Sequence, residues 1–506
     1  MQLTIHEILS ATGGRPINTT PHTTITSICT DTREIQPGAM FVAIKGEKYD
    51  GHDFIAQALE KGAVCALSER EGTGPIIQVK STRRALMDLA AYYRRRHSIQ
   101  VVAITGSAGK TTTKEMIANV LAQKYKTKKT MGNFNNDIGL PLSIFQLTPE
   151  DEVLVLEMGM NHGGEIHELS LTGAPNIAVI TNIGDAHIEN FKNREGILHA
   201  KLEILDGLHV NGTAVFNGDD PLLMGKIAMA KAAHFKLLTP NSANIISMDE
   251  SNFEGGNAHF HIAGQDIHIK MPLPGAHMVK NALLAATVAI EMGLTPEEIT
   301  RGFAQVTPPK GRLTIGEIKG MTVINDVYNA NPASMQESIK VTVSQDGRKV
   351  CILGGMNELG HVSEPRHREV GAFAADMGIN LLVTIGSMAW WINEGYYGAI
   401  LKRHREKGQA TNQPLLDENA ERLFDMPKRT TGIRTAPEPS PGLEELGKIL
   451  RQSTKAEDVL PQMALHFDTV ADFLKEWPDI LRPGDVVLVK ASRGMAFEDV
   501  INGLQG

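Results

Sequence analysis

The run Thr105-Gly106-Ser107-Ala108-Gly109-Lys110-Thr111-Thr112 carries the residue types of a phosphate cradle. It follows an apolar stretch, Val101-Val102-Ala103-Ile104, and opens a helix-forming one, Thr113-Lys114-Glu115-Met116-Ile117-Ala118. Without side chains on Gly106 and Gly109 the backbone can fold tightly, so several N–H groups and the positive end of the following helix converge on an anion. Lys110 adds a mobile positive charge for terminal phosphates, and the Thr111 hydroxyl is placed to ligate magnesium. Only Ser107 and Ala108 separate the two glycines, so the G-x-x-x-x-G-K loop of common GTPases and kinases fits poorly.

A second constellation belongs to strand ends. Glu157 closes Val153-Leu154-Val155-Leu156, and His187 follows Ala178-Val179-Ile180 through Thr181-Asn182-Ile183-Gly184-Asp185-Ala186. Both are expected on the rim that bears the glycine loop. A carboxylate and an imidazole beside Thr111 can complete the coordination of a divalent ion that screens phosphates. Taken singly, a salt-bridged Glu and a capping His are the plainer readings; their shared rim favours the metal. Lys201, within His199-Ala200-Lys201-Leu202, reads as an exposed helix lysine. His277 and Asn281 are four apart on a helix-like segment and share a face, most simply a helix start with a core-facing Asn.

Positioning these groups requires an α/β framework. Residues 1–97 show short alternating segments such as Met40-Phe41-Val42-Ala43-Ile44 and end in Tyr92-Tyr93-Arg94-Arg95-Arg96-His97, read as a solvated helix end. From 98 to 311 apolar strands alternate with helical periodicity, the pattern of a doubly wound, mostly parallel sheet. Residues 312–506 repeat the rhythm through Val323-Ile324, Val350 to Leu353, Leu381 to Ile385 and Val486 to Val489, which predicts a second α/β domain of Rossmann-like form. The stretch from about 400 to 460 is polar and Pro-interrupted, the composition of an inserted surface segment.

Composition excludes several classes. A chain of 506 residues is too long for one core, and its 42% apolar and 21% charged content is that of a globular protein. A net charge of −8 argues against nucleic acid as a general partner. Cys29, Cys65 and Cys351 are too scattered for a disulfide framework or a CxxC metal site, so a cytoplasmic location is expected. The amino terminus lacks the pattern of a signal peptide, and no run of about 20 apolar residues occurs, so no membrane insertion is expected.

The chain resembles the Mur ligases almost end to end. The resemblance rests on Thr30-Asp31-Thr32-Arg33, Asp50-Gly51-His52-Asp53-Phe54, the glycine loop, Asn133-Phe134-Asn135-Asn136-Asp137-Ile138-Gly139 and Glu157-Met158-Gly159-Met160-Asn161-His162. It continues through Thr181 to His187, Asn325-Asp326-Val327-Tyr328-Asn329-Ala330-Asn331-Pro332 and Glu358-Leu359-Gly360. It is nearest to the members that join D-alanyl-D-alanine to UDP-N-acetylmuramoyl-tripeptide with ATP and magnesium. The family pattern implies three domains: an amino-terminal one for the uridine nucleotide, a central ATPase, and a third that brings the amine.

Residue by residue, the resemblance assigns Lys201 as a carbamylated lysine whose new carboxylate binds magnesium with Thr111, Glu157 and His187. His277 and Asn281 would meet adenine or its ribose, and Arg312 and Asp326 the nucleotide from beyond a hinge. Thr32, Arg33, Lys45 and Gly46 would wall the uridine nucleotide; Asn135 and Asn136 would meet the muramoyl peptide; Tyr328, Asn329 and Asn331 would also contact substrate. A monomer is expected. Two departures fall near the expected dipeptide position: Gly355 stands where the family usually has Asp, and Ala491-Ser492-Arg493-Gly494 replaces Gly-Ser-Arg-Ser. Competing readings are a ligase adding the third amino acid, a folylpolyglutamate synthetase, or an ATP-dependent switch without ligase chemistry.

Overall fold

The computed structural model describes residues 1–226, 235–249, 256–271, 273–411 and 462–506. Each of the three regions is organised around its own sheet. The first holds five short strands: β1 (Arg15–Ile17), β2 (Ser27–Cys29), β3 (Ala39–Val42), β4 (Cys65–Ser68) and β5 (Ile76–Gln78). They lie in the order β1-β5-β4-β3-β2, with β1 alone antiparallel to its neighbour. The alternation expected around Met40 is absent, because all four residues of β3 are buried. A parallel strand covered on both faces has no polar side to alternate with.

The central sheet comprises β6 (Gln100–Thr105), β7 (Thr127–Lys129), β8 (Val153–Glu157), β9 (Ile177–Ile180), β10 (Thr213–Phe216) and β11 (Lys236–Leu238). All pairs are parallel, in the order β11-β10-β9-β6-β8-β7. The order reverses around β6, so the loops after β6, β8 and β9 share one rim at a switch point. Val101 to Ile104 and Val153 to Leu156 are fully buried, as covered parallel strands demand. Beside this sheet a three-stranded antiparallel one, β12 (Ile245–Met248), β13 (Asn257–Ile262) and β14 (Gln265–Lys270), was not anticipated. Its pattern is a true alternation: Ala258, Phe260, Ile262, Ile267 and Ile269 are buried while His261 and His268 face out.

The third sheet contains β15 (Thr314–Ile318), β16 (Met321–Asn325), β17 (Arg348–Gly354), β18 (Leu381–Ile385), β19 (Met463–Phe467) and β20 (Asp485–Lys490). Its order is β15-β16-β20-β17-β18-β19, parallel except for the β15–β16 edge hairpin. The helix Trp390–Thr411 runs into the start of the polar stretch, and residues 412–461 of that expected insertion lie outside the described residues.

The basic run ending the helix Thr82–Arg95 is corrected in one respect. Arg94 is 8% exposed, and its guanidinium donates to the carbonyls of Gly173 (3.1 Å) and Ala174 (2.9 Å). These are the open carbonyls ending the helix Glu165–Gly173, where a cation is favoured. Among the described residues no helix is long and apolar enough to cross a membrane.

Candidate active site

The glycine loop leaves β6 and enters the helix Lys110–Leu121 through Gly109. Gly106 has φ +153°, and a Cβ there would sit 1.8 Å from the Thr181 hydroxyl. At Gly109, φ is +80° and a Cβ would come within 2.8 Å of Asn281 Oδ1, so both positions require glycine. The end of β9 braces the loop: the Ser107 N–H donates to the Asn182 carbonyl (3.0 Å) and the Ala108 N–H to Asn182 Oδ1 (2.9 Å). The Thr181 hydroxyl donates to the Ala108 carbonyl at 2.6 Å. The first helical hydrogen bond runs from the Thr113 N–H to the Gly109 carbonyl, and no side chain caps this end. The N–H groups of Lys110, Thr111 and Thr112 therefore lack intrahelical partners at the positive end of the helix. Lys110 Nζ donates to the Gly106 carbonyl at 2.7 Å, and burial lowers its pKa, opposed by Glu157.

Thr111 is where elements from two sheets meet. Its hydroxyl donates to Glu157 Oε1 (3.2 Å) and accepts from Arg312 Nη2 (3.0 Å). Asn135 Nδ2 also donates to Glu157 Oε1, at 3.0 Å. Glu157 Oε2 is buried without a hydrogen-bond partner among the described residues; Lys114 Nζ stands 3.8 Å away. A buried anionic oxygen in this position, beside a hydroxyl, fits a hard cation that takes its remaining ligands from phosphate and water. Among the described residues no cluster of three or more His, Cys, Asp or Glu side chains forms a ready-made metal cage.

Lys201 is not the exposed helix lysine expected from the sequence alone: it is 1% exposed, because its helix, Arg194–Leu202, packs that face inward. Burial first, and then the charge of Lys110, push its amine well below the ordinary lysine value. Among the described residues no carboxylate lies within ion-pair distance of it. His187 has φ +62°, and its Nδ1 lies 2.6 Å from Glu358 Oε2, at an angle outside hydrogen-bond geometry.

The third region reaches this rim through Arg312 and Glu358. Arg312 stacks on Tyr328, its guanidinium carbon 4.1 Å from the ring centroid, and its buried Nε has no hydrogen-bond partner among the described residues. Asp326 is occupied internally: Oδ2 accepts from Lys490 and from the Ser338 hydroxyl (2.6 Å), Oδ1 from the Leu313 N–H (3.2 Å). His277 Nδ1 stands 3.3 Å from Glu337 Oε2, while Asn281, four residues on, lies against Gly109. Burial would raise the Glu337 carboxyl, but His277 and Lys340 hold it down at about 2.

The remaining flagged residues are more dispersed. Asn136 Oδ1 accepts from the Gly139 N–H (2.9 Å) at the start of the helix Gly139–Ile144. Asn331 caps the helix Pro332–Val343 by accepting from the Ser334 N–H, and Asn329 Oδ1 accepts from the Ala330 N–H. Thr32 donates to Gln57 Oε1 (3.0 Å), and Arg33 is paired with Asp31. Lys45 and Gly46 belong to a tight loop closed by the Gly46 N–H on the Tyr49 carbonyl. Spacing gave no role to Lys114, Glu358, Asp185 or Arg366. Asp185 binds Arg194 in its own region and Arg366 from the third, at 2.9 Å. Only the inclusion of Asp185 and Glu358 in the resembling motifs drew attention to them.

Three family models match this chain: the Mur ligase middle domain over 104–289, the Mur ligase family catalytic domain over 24–94, and the Mur ligase glutamate ligase domain over 311–411. The UDP-N-acetylmuramoyl-tripeptide–D-alanyl-D-alanine ligase of Bacillus subtilis is 33% identical over 95% of this chain and 93% of that protein. A crystal structure of MurF from Acinetobacter baumannii superposes with a TM-score of 0.83 at 29% identity, covering 100% of this chain and 99% of that one. MurF from Thermotoga maritima, solved in complex with ADP, gives 0.74 at 28% identity over 95% and 97%. With near-complete coverage at such identity, and a fold shared across all three regions, the chain belongs to the Mur ligase family.

Proposed function

We infer that this chain is an ATP-dependent, ADP-forming ligase that joins D-alanyl-D-alanine to UDP-N-acetylmuramoyl-tripeptide, producing the pentapeptide precursor of peptidoglycan. The observation that carries the reading is Thr111, held between Glu157 of the central region and Arg312 of the third at an uncapped helix start. A carboxylate is a poor acyl donor because its leaving group would be oxide. The tripeptide carboxylate therefore attacks the γ-phosphate of ATP, releasing ADP and forming an acyl phosphate. The dipeptide amine, having lost a proton, attacks the carbonyl carbon; the tetrahedral species collapses to an amide and inorganic phosphate.

Lys110 and the N–H groups at the start of its helix stabilise charge on the transferred phosphoryl group, and Arg312, which reaches Thr111 from the third region, adds a second positive charge there. His277 and Asn281 face the nucleoside, and Asn135 faces the peptide substrate. A divalent ion held by Thr111, Glu157 and His187 would screen the phosphates when bound. In the same reading Lys201 reacts with CO2, since carbamylation needs a neutral amine, and becomes a further oxygen ligand. Action as a cytoplasmic monomer belongs to this reading too.

Incubation with UDP-muramoyl tripeptides, ATP and candidate dipeptides, followed by mass analysis, tests the function. One tripeptide plus D-alanyl-D-alanine should yield an amide with one ADP and one phosphate, and phosphate release should require both substrates. ATP hydrolysis indifferent to them would replace a ligase by a switch. For Lys201, the Lys201→Ala variant should be inactive and partly rescued by short carboxylic acids; full activity without them, or no rescue, rejects the modification.

A further inference from the structure

Two residues face each other across the junction of the central and third regions, and both are held in backbone that side chains disfavour. His187 has φ +62° and Glu358 +64°. Left-handed backbone in residues other than Gly is uncommon and persists where the surroundings impose it, often at functional sites. The two segments are in close contact here: the Glu189 N–H donates to the Glu358 carbonyl (3.2 Å), and Gly360, at φ +48°, would drive a Cβ to within 2.8 Å of Glu189 Cβ. The side chains meet at 2.6 Å between His187 Nδ1 and Glu358 Oε2. His187 is only partly exposed, and Lys110 is near enough to contribute to holding the Glu358 carboxyl below its usual value, after His187 itself.

We propose that Glu358 is a positioning residue that reaches across from the third region to orient His187, so that the divalent-cation site at the glycine loop is completed only when that region is docked. The inference rests on the functional reading above, in which His187 meets the cation. An imidazole that ligates a metal donates its other ring N–H to a carboxylate or carbonyl, which fixes tautomer and ring angle; loss of such a partner costs about 10- to 100-fold in metal affinity. With Nδ1 in ion-pair contact with Glu358, not yet aligned as a hydrogen bond, Nε2 is the nitrogen left for the cation once docking aligns the pair. Glu358 then acts through His187 and has no need to touch substrate.

Manganese supplies the probe, because its binding is read directly by electron paramagnetic resonance. Full-length protein with saturating ADP is titrated with Mn2+ as unaltered chain, Glu358→Gln, His187→Ala and the double variant, thermal unfolding confirming that each is folded. Glu358→Gln is near-isosteric and its side chain is 43% exposed, so the fold should survive. The expected result is Mn2+ affinity lowered about tenfold or more in Glu358→Gln, an altered spectrum, and no further loss when Glu358→Gln is added to His187→Ala. Affinity within twofold of the unaltered chain, or an equal loss in the His187→Ala background, overturns the proposal while leaving ligase activity standing. No Mn2+ bound to the unaltered protein with ADP overturns the cation reading itself, and this inference with it.

Discussion

The central and third sheets are built alike, yet their strand-end rims differ in how far their polar groups are satisfied. At the central rim the loop helix starts uncapped, and Glu157 Oε2 and Arg312 Nε are buried without hydrogen-bond partners among the described residues. At the third rim, several buried polar groups close on one another. Lys490 pairs with Asp326, which also binds Ser338 and the Leu313 N–H. His367 accepts from the Met356 N–H (2.8 Å) through Nε2 and donates to the Ser363 carbonyl (2.7 Å) through Nδ1. Met388 and Met495 pack over Gly355, the Met495 sulfur accepting its N–H at 3.0 Å. Unsatisfied buried polar groups are costly, so a rim that keeps them is shaped for a charged ligand, and one that pairs them is shaped for stability. The Gly355 and Ala491–Gly494 departures both fall on the satisfied, methionine-covered rim.

The contrast can be broken most forcefully at Lys490. Replacing it in Lys490→Met strands a buried carboxylate, so chemical denaturation should show the third region losing about 3–5 kcal/mol. A loss under about 1 kcal/mol would remove the claim that this rim is knit for stability. Next in size, Lys110→Ala should lower turnover roughly 100-fold or more while the unfolding midpoint stays near that of the unaltered chain. If the midpoint instead falls as far as in Lys490→Met, the two rims do not divide the work in this way.

The smallest effect is a pH dependence. Burial lowers the His367 pKa below its ordinary 6.5, so the unfolded chain binds this proton more readily than the folded one. The stabilising contribution is complete above the unfolded value and is lost as pH falls through it towards the folded one. Melting temperatures taken from about pH 7.5 downward should drop, and the drop should be shallower in His367→Gln; identical slopes would show that His367 is not buried neutral.

Much of the framework is legible from local pattern. The apolar runs at Val101, Val153 and Val486 are strands because covered parallel strands need little else, and the glycine loop announces itself by spacing. The antiparallel sheet around Phe260 escaped because its alternation lies in short segments rich in His. Local readings failed where one side chain had two environments open to it: Lys201 looked like a surface lysine and Arg94 like a solvated one, and both are buried. Asn331, expected to contact substrate, also caps a helix, as its place before Pro332 suits.

The sequence by itself determined the glycine loop between strand and helix, the three α/β regions and the family to which they belong, since these follow from near-neighbour periodicity and from motifs a few residues long. Only the tertiary structure decided that Arg312 reaches Thr111, that Glu358 meets His187, and that Lys201 is buried beside Lys110. Such pairs lie far apart along the chain. Which charge is left without a partner depends on which surfaces pack together, and no local pattern records that.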